Sequence, residues 1–240
     1  MLPNERLAVI DLGSNSFRLV VFMAGEGWWK RTDEIYEPVR IGEGMMATGM
    51  LGEEPIERAL ATLDVFSHFC RASGLGEDAV DAVATSAIRD AENGASFLER
   101  ARAQLGFPIR VLSREQEARY GYLAAVNSTT LREGSVLDLG GGSMQLVEVV
   151  DRLMRDSGSW RLGTVRMSER FLPPNGPAKR RQIEPVSFIS SAACCAPAHS
   201  SSIHRNNSRW CRRSPSPGGP PQTPRLPKPF LSASRKAAAQ

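Results

Sequence analysis

The sequence predicts an α/β protein built from a duplicated unit, and three observations carry that expectation. Short Val- and Ile-rich runs alternate with longer stretches of helical periodicity. The segment "VIDLGSNSFRLVVF" at 9–22 is written a second time as "VLDLGGGSMQLVEV" at 136–149, with Asp138 on Asp11, Gly140 on Gly13, Ser143 on Ser16 and Leu146 on Leu19. The offset is constant at 127 residues (138 − 11). That is far too long a period for a solenoid and implies two related domains facing each other. Third, the pattern stops near residue 185, where Pro, Ser and Arg take over.

Taken in order, "LAVIDLGSNSFRLVVF" is two short apolar runs split by a Gly-Ser-Asn turn, hence strand, tight turn and strand. In "EPIERALATLDVFSHFCRASGLG", Ile56, Leu60, Leu63, Phe66 and Cys70 recur at helical spacing, with Pro55 at the start and Gly74 and Gly76 at the end. "AVDAVATSA" is expected to be a strand running into a polar turn. "ASFLERARAQLGFPIRVLS" is a helix stopped by Gly106 and Pro108, followed by a short strand. Ser113 with Gln116 three residues later forms a capping-box pattern that opens the helix "REQEARYGYLAAV". The second hairpin follows. These elements divide the chain into a first domain at 1–126, the start of a second at 127–184, and a tail at 185–240.

The charge divides the same way. Of 30 Lys and Arg, eight fall in 185–240, together with none of the 26 Asp and Glu, which leaves 22 basic against 26 acidic residues in 1–184. The body is therefore slightly acidic, and bulk charge gives no case for a specific nucleic-acid partner. The tail holds nine of the 16 prolines and no sustained periodicity, so it is expected to be disordered. Cys70 reads as a small core residue, while Cys194, Cys195 and Cys211 lack the paired spacing of a zinc site. No window approaches a membrane span and the start has no secretory pattern, so no membrane partner and a cytoplasmic location are expected.

A strand ending in Asp and followed by a Gly/Ser turn suits a phosphate. Backbone N–H groups of a turn free of bulky Cβ atoms can converge on phosphate oxygens. The carboxylate can hold Mg²⁺, which keeps most of its waters and needs only one or two such ligands. Two hairpins of this kind facing each other would grip a phosphate chain from both sides.

With "AVIDLGSNSFRLVVF", "AVATSAIRDAENGASFLERA", "VLSREQEARYGYLA" and "VLDLGGGSMQLVEV" in this order, residues 6–183 resemble the Ppx/GppA family of exopolyphosphatases and guanosine pentaphosphate phosphohydrolases. The resemblance implies an actin-like (ribonuclease H-like) fold of two duplicated domains, and a homodimer. It assigns Asp11, Ser14, Asn15 and Ser16 to a first phosphate loop and Asp138, Gly140, Gly141, Gly142 and Ser143 to a second. Arg89 becomes the arginine that reaches into the cleft, where a planar fork of donors suits phosphate oxygens. Glu117 becomes the base that orients and deprotonates the attacking water. Taken by themselves, Glu115 and Glu117 could equally serve only to complement the helix dipole.

The expected metal set is Asp11, Asp138 and position 145, where the family usually has Glu and this chain has Gln145. An amide brings no charge to the ion, so weaker Mg²⁺ binding is expected. After about residue 184 the family pattern gives way to the Pro/Ser/Arg tail, which reads as a truncation or a shifted reading frame that leaves the second domain incomplete. The expected activity is Mg²⁺-dependent removal of terminal orthophosphate from polyphosphate. Hydrolysis of guanosine pentaphosphate and non-catalytic binding of polyphosphate or nucleotide stand as alternatives.

Overall fold

The structure, a computed structural model, describes residues 5–172; the tail expected at 185–240 lies outside the described residues. The first sheet contains β1 (Glu5–Leu12), β2 (Phe17–Gly25), β3 (Trp28–Glu37), β4 (Val80–Ala84) and β5 (Ile109–Val111) in the order β3-β2-β1-β4-β5. β1 to β3 form an antiparallel meander, and β4 and β5 add in parallel through helical crossovers. The crossovers are α2 (Glu53–Ala72) and α4 (Gly94–Leu105). A single turn, α1 (Met45–Thr48), precedes α2.

Periodicity explains the packing. Ile56, Ala59, Leu63, Phe66 and Cys70 form one stripe of α2, and Phe97, Leu98, Ala101 and Leu105 one stripe of α4. Both stripes close over Ile10, Leu12, Phe17, Leu19 and Val21, the alternate residues of β1 and β2 that face the same way. Burying each large apolar side chain in this core contributes roughly 1.5–3 kcal/mol relative to exposure. Gly106, in the left-handed region at φ 76, ends α4 with its N–H on the Arg102 carbonyl.

The polar turn expected after β4 is instead a short helix, α3 (Ser86–Asp90). Thr85 leaves the strand with extended dihedrals, and the Ala87 N–H finds its acceptor in the Ser14 hydroxyl, 3.1 Å away. A long-range hydrogen bond thus starts this helix, which no local signal could announce.

Helix α5 (Arg114–Ser128) opens with the expected capping box: Ser113 Oγ accepts from the Gln116 N–H and Gln116 Oε1 accepts from the Ser113 N–H. Its buried positions, Ala118, Tyr122 and Val126, rest on Val147 and Val149 of the second sheet. That sheet is β6 (Gly134–Leu139), β7 (Met144–Val150) and β8 (Leu153–Trp160) in sequential antiparallel order, followed by α6 (Thr164–Phe171). Helix α5, which the division at residue 126 places in the first domain, packs on the second sheet. In the second hairpin Val147 is buried under α5, whereas Leu137 and Leu139 are 44% and 48% exposed.

The two-residue β7–β8 turn puts Asp151 and Arg152 at φ 52 and 63, a conformation costly for residues other than glycine. Arg152 is secured there. Its carbonyl accepts from the Tyr122 hydroxyl, and its guanidinium donates to the Val126, Thr129 and Leu131 carbonyls at the end of α5.

The 127-residue repeat is structural. Asp11 pairs with Arg18 across β1–β2, and Asp138 pairs with Gln145 across β6–β7, at the same register. The two hairpins nevertheless cover opposite faces. The first buries the Ile10/Leu12/Leu19 side, while the second buries Val147 and Val149, the counterparts of Val20 and Phe22.

Candidate active site

The repeated hairpins turn through the same hydrogen bond. Gly13 N–H donates to the Ser16 carbonyl at 3.1 Å, and Gly140 N–H to the Ser143 carbonyl at 2.9 Å. The two turns meet tip to tip. A Cβ on Gly141 would lie 2.9 Å from the Asn15 Cβ, and one on Gly142 would overlap the Ser14 and Ser86 hydroxyls. Only glycine allows this approach.

Each turn is fixed from behind. Ser14 is buried, with its hydroxyl 3.0 Å from that of Ser86 and accepting from Ala87 N–H. The Ser14 and Asn15 carbonyls accept from Gly42 and Arg40 N–H. On the second turn, the Gly140, Gly141 and Gly142 carbonyls accept in succession from Thr164 N–H, Val165 N–H and Arg166 Nε. The Thr164 and Val165 N–H groups in the first turn of α6 are thereby satisfied. Because a trans peptide points its C=O and N–H in opposite directions, tying these carbonyls toward α6 aims the following N–H groups away from it. Among the described residues, the Asn15, Gly141 and Gly142 N–H groups meet no acceptor.

A chain of polar contacts runs beside the turns. Arg89 Nη1 donates to Glu117 Oε2 at 2.9 Å, Ser143 Oγ donates to Glu117 Oε1 at 2.8 Å, and Gln145 Nε2 donates to Ser143 Oγ at 2.9 Å. Arg89 Nη1 also holds the Leu112 carbonyl. Among the described residues, Arg89 Nε and Nη2 are buried without a hydrogen-bond acceptor. Nε lies 3.5 Å from the Asp90 carboxylate, which leaves Nη2 as the buried donor that an incoming anion would meet.

Asp11 and Asp138 stand near Glu117. Desolvation by the surrounding protein, then the Glu117 and Asp138 charges, pushes the solvent-open Asp11 carboxyl up to about 6, with Arg18 opposing. Asp138, also open to solvent, is raised by desolvation and by Glu117. Helix α5 passes close to Asp138, since a Cβ on Gly121 would lie 3.0 Å from its Oδ2. Among the described residues, no three His, Cys, Asp or Glu side chains gather closely enough to hold a metal ion by themselves.

The residues expected from the sequence thus fall into three groups. Glu117, Arg89, Ser143 and Gln145 share one hydrogen-bonded chain; Ser14, Asn15, Gly141 and Gly142 form the contact between the turns; Asp11 and Asp138 face Glu117 electrostatically. Ser16 and Gly140 close their turns through the backbone. Gln145 is 1% exposed, with its amide donating to Ser143. Sequence reasoning missed Ser86, Asp90, Gly163 and Arg166. Ser86 stands within the quoted "ATSAIRD", but Arg166 and Gly163 carry no local signal.

Residues 20–191 match the model of the Ppx/GppA phosphatase family. The chain belongs to that family. Exopolyphosphatase 1 of Mycobacterium tuberculosis is 32% identical over 179 residues, covering 73% of this chain and 52% of the relative. This member of the Ppx/GppA family therefore spans about half the length of the curated relatives it matches. The crystal structure of the Aquifex aeolicus family member is 32% identical with a TM-score of 0.63, covering 79% of this chain and 62% of that one. An exopolyphosphatase-like protein of known crystal structure is 29% identical with a TM-score of 0.70 over 79% of this chain and 60% of its own. The chain has the α/β, actin-like fold of the family, with its duplicated hairpins. Among the described residues, no helix is long and apolar enough to cross a membrane.

Proposed function

We propose that this site hydrolyses a terminal phosphoric anhydride bond of linear polyphosphate, with Mg²⁺ and with Glu117 as the general base. The observation that carries the reading is the Arg89–Glu117 pair. The guanidinium holds the carboxylate in place while keeping its buried Nη2 donor unused, beside unpaired N–H groups on two turns. That is an anion site built next to a base.

Phosphate oxygens would take hydrogen bonds from Gly141 and Gly142 N–H on one side, from Asn15 N–H on the other, and from Arg89 Nη2. Glu117 keeps lone pairs free beyond those used by Arg89 and Ser143, and with one of them it orients a water in line with the terminal phosphorus. The water oxygen forms the new P–O bond, its proton passes to Glu117, and the bridging P–O bond breaks with its electrons leaving on the shortened chain. The raised carboxyls at Asp11 and Asp138, both beside the Glu117 charge, fit a divalent cation, because they carry more negative charge than nearby side chains neutralise. Mg²⁺ held by these two and by water would neutralise charge on the phosphate oxygens.

Orthophosphate release from polyphosphate, at saturating Mg²⁺, tests the reading. Glu117→Gln should reduce kcat by about 10²-fold or more with little change in KM. Unchanged turnover would remove Glu117 from the chemistry. Faster release from guanosine pentaphosphate in a parallel assay would transfer the reading to that substrate.

A further inference from the structure

Asp90, the last residue of α3, is almost fully enclosed, with its side chain 4% exposed. Four guanidiniums converge on it from four elements. Arg89 Nε and Arg114 Nη2 approach Oδ1 at 3.5 and 3.4 Å, while Arg161 Nε and Arg166 Nη2 approach Oδ2 at 2.9 and 3.2 Å. The division between the two oxygens follows the fold. Oδ1 serves the arginines of α3 and the start of α5, and Oδ2 serves those of the β8–α6 link and α6.

Two of these arginines have a second duty in the site. Arg89 reaches from Asp90 to Glu117. Arg166 reaches from Asp90 to the Gly142 carbonyl at 2.8 Å. One carboxylate therefore stands behind both the proposed base and the proposed phosphate turn, and it does so across the boundary between the sheets. A second tie crosses the same boundary, from Gly44 N–H to Glu169 Oε1 at 2.8 Å. It touches neither Arg89 nor the second turn.

We propose that Asp90 is a positioning residue that sets the register of the two halves of the site. It holds Arg89 against Glu117 with one oxygen, and with the other it holds Arg166 against the Gly142 peptide. A guanidinium is planar and forked, so fixing one edge fixes where the other edge points. With Asp90 neutral, both arginines lose the partner that orients them. Arg166 then keeps only the Gly142 carbonyl and the weakly accepting Met46 sulfur, 3.9 Å from Nη1, and the turn is free to swing.

The placement rests on geometry alone; its effect on turnover rests on the function proposed above. The first measurement is therefore independent of activity. Amide hydrogen exchange at 141–143, referred to the β1–β2 hairpin of the same molecule, is compared in the full chain and in Asp90→Asn, Arg166→Gln and the double variant. Asp90→Asn should raise exchange at the turn about tenfold or more, Arg166→Gln should do the same, and the double variant should exceed neither by much. Multiplying effects in the double variant, or unchanged turn exchange in Asp90→Asn, would overturn the proposal. If Asp90→Asn does not fold, Arg166→Gln decides alone, because an unmoved turn in that variant breaks the chain of contact.

In the phosphate-release assay, Asp90→Asn should lower kcat about tenfold with KM within twofold, and Asp90→Glu should restore part of the loss. A purely structural role would instead lower the folded fraction and leave kcat per folded molecule unchanged. Failure of Glu117→Gln to alter turnover would count against the proposed chemistry, while the exchange result would still decide the role of Asp90.

Discussion

Replacing Gln145 by Glu tests whether this position looks inward, as the structure places it, or toward a metal, as sequence comparison expects. Gln145 is 1% exposed and donates through Nε2 to Ser143 Oγ, which spends its own proton on Glu117. A carboxylate there has no proton to give, and the Ser143 proton can serve only one of two acceptors. The variant either leaves a buried acceptor unpaired, at about 1–3 kcal/mol, or binds a proton. Holding a carboxyl neutral at pH 7.5 means raising it by roughly three units from about 4.3, which costs about 4 kcal/mol. Asp138, directly across the strand pair, adds like charge. The cheaper of the two prevails, and a net loss of about 1–3 kcal/mol corresponds to roughly 2–12 °C in a domain of this size. Thermal unfolding in EDTA should show it at pH 7.5 and show less of it at pH 5, where the new carboxyl is protonated at lower cost. Saturating Mg²⁺ should return part of the stability to the variant and less to the parent chain. Equal melting temperatures of the two proteins at pH 7.5 in EDTA would refute the inward placement.

A methyl group on Gly163 would overlap the backbone of Gly141 and Gly142, so Gly163→Ala has to push α6 off the second turn. It should cost about 1–3 kcal/mol by overpacking and lower phosphate release about tenfold, both read on the same preparation. The Asp11 carboxyl, raised to about 6, stabilises the fold most when protonated, so its contribution is present below about pH 4 and is lost as pH rises through 6. Asp11→Asn should therefore melt progressively higher than the parent between pH 4 and pH 7 without divalent ions, by on the order of 1 kcal/mol after allowance for solvent screening; a constant difference across that range would count against the shift. Phe66 is fully buried between α2 and the first sheet, and Phe66→Ala should lose about 3–5 kcal/mol in urea unfolding.

Sequence reasoning succeeded where the deciding physics is local. The doubled Asp-Gly-Ser turns, the apolar stripe of α2 and the Ser113–Gln116 box each lie within a few residues, and each appears in the structure. It missed β3, whose "WWKRTDEIYE" is almost wholly exposed and lacks a two-residue alternation. Pairing with β2 makes that segment a strand. Asp90 was invisible for a different reason. Its partners are scattered from position 89 to position 166, and only the fold gathers them. Gln145 was seen, but its hydrogen bond to Ser143 was not, because a side chain's direction depends on what fills the space around it.

Helix α5 follows the last strand of the first sheet yet lies on the second, and this has a consequence for how the chain is made. At a synthesis rate of roughly 5–20 residues per second, β8 leaves the ribosome some seconds after α5. The first sheet, with α2 and α4, has every strand it needs once Val111 has emerged. Through that interval Ala118, Tyr122 and Val126 form an apolar stripe with no surface to rest on, and Arg152, which closes the far end of the helix, has not been added. The nascent chain thus passes through a stage in which its first half is finished and the helix carrying the proposed base is still waiting for a partner. Chaperone dependence and premature cleavage should concentrate at that stage, in the stretch between Leu112 and Thr129.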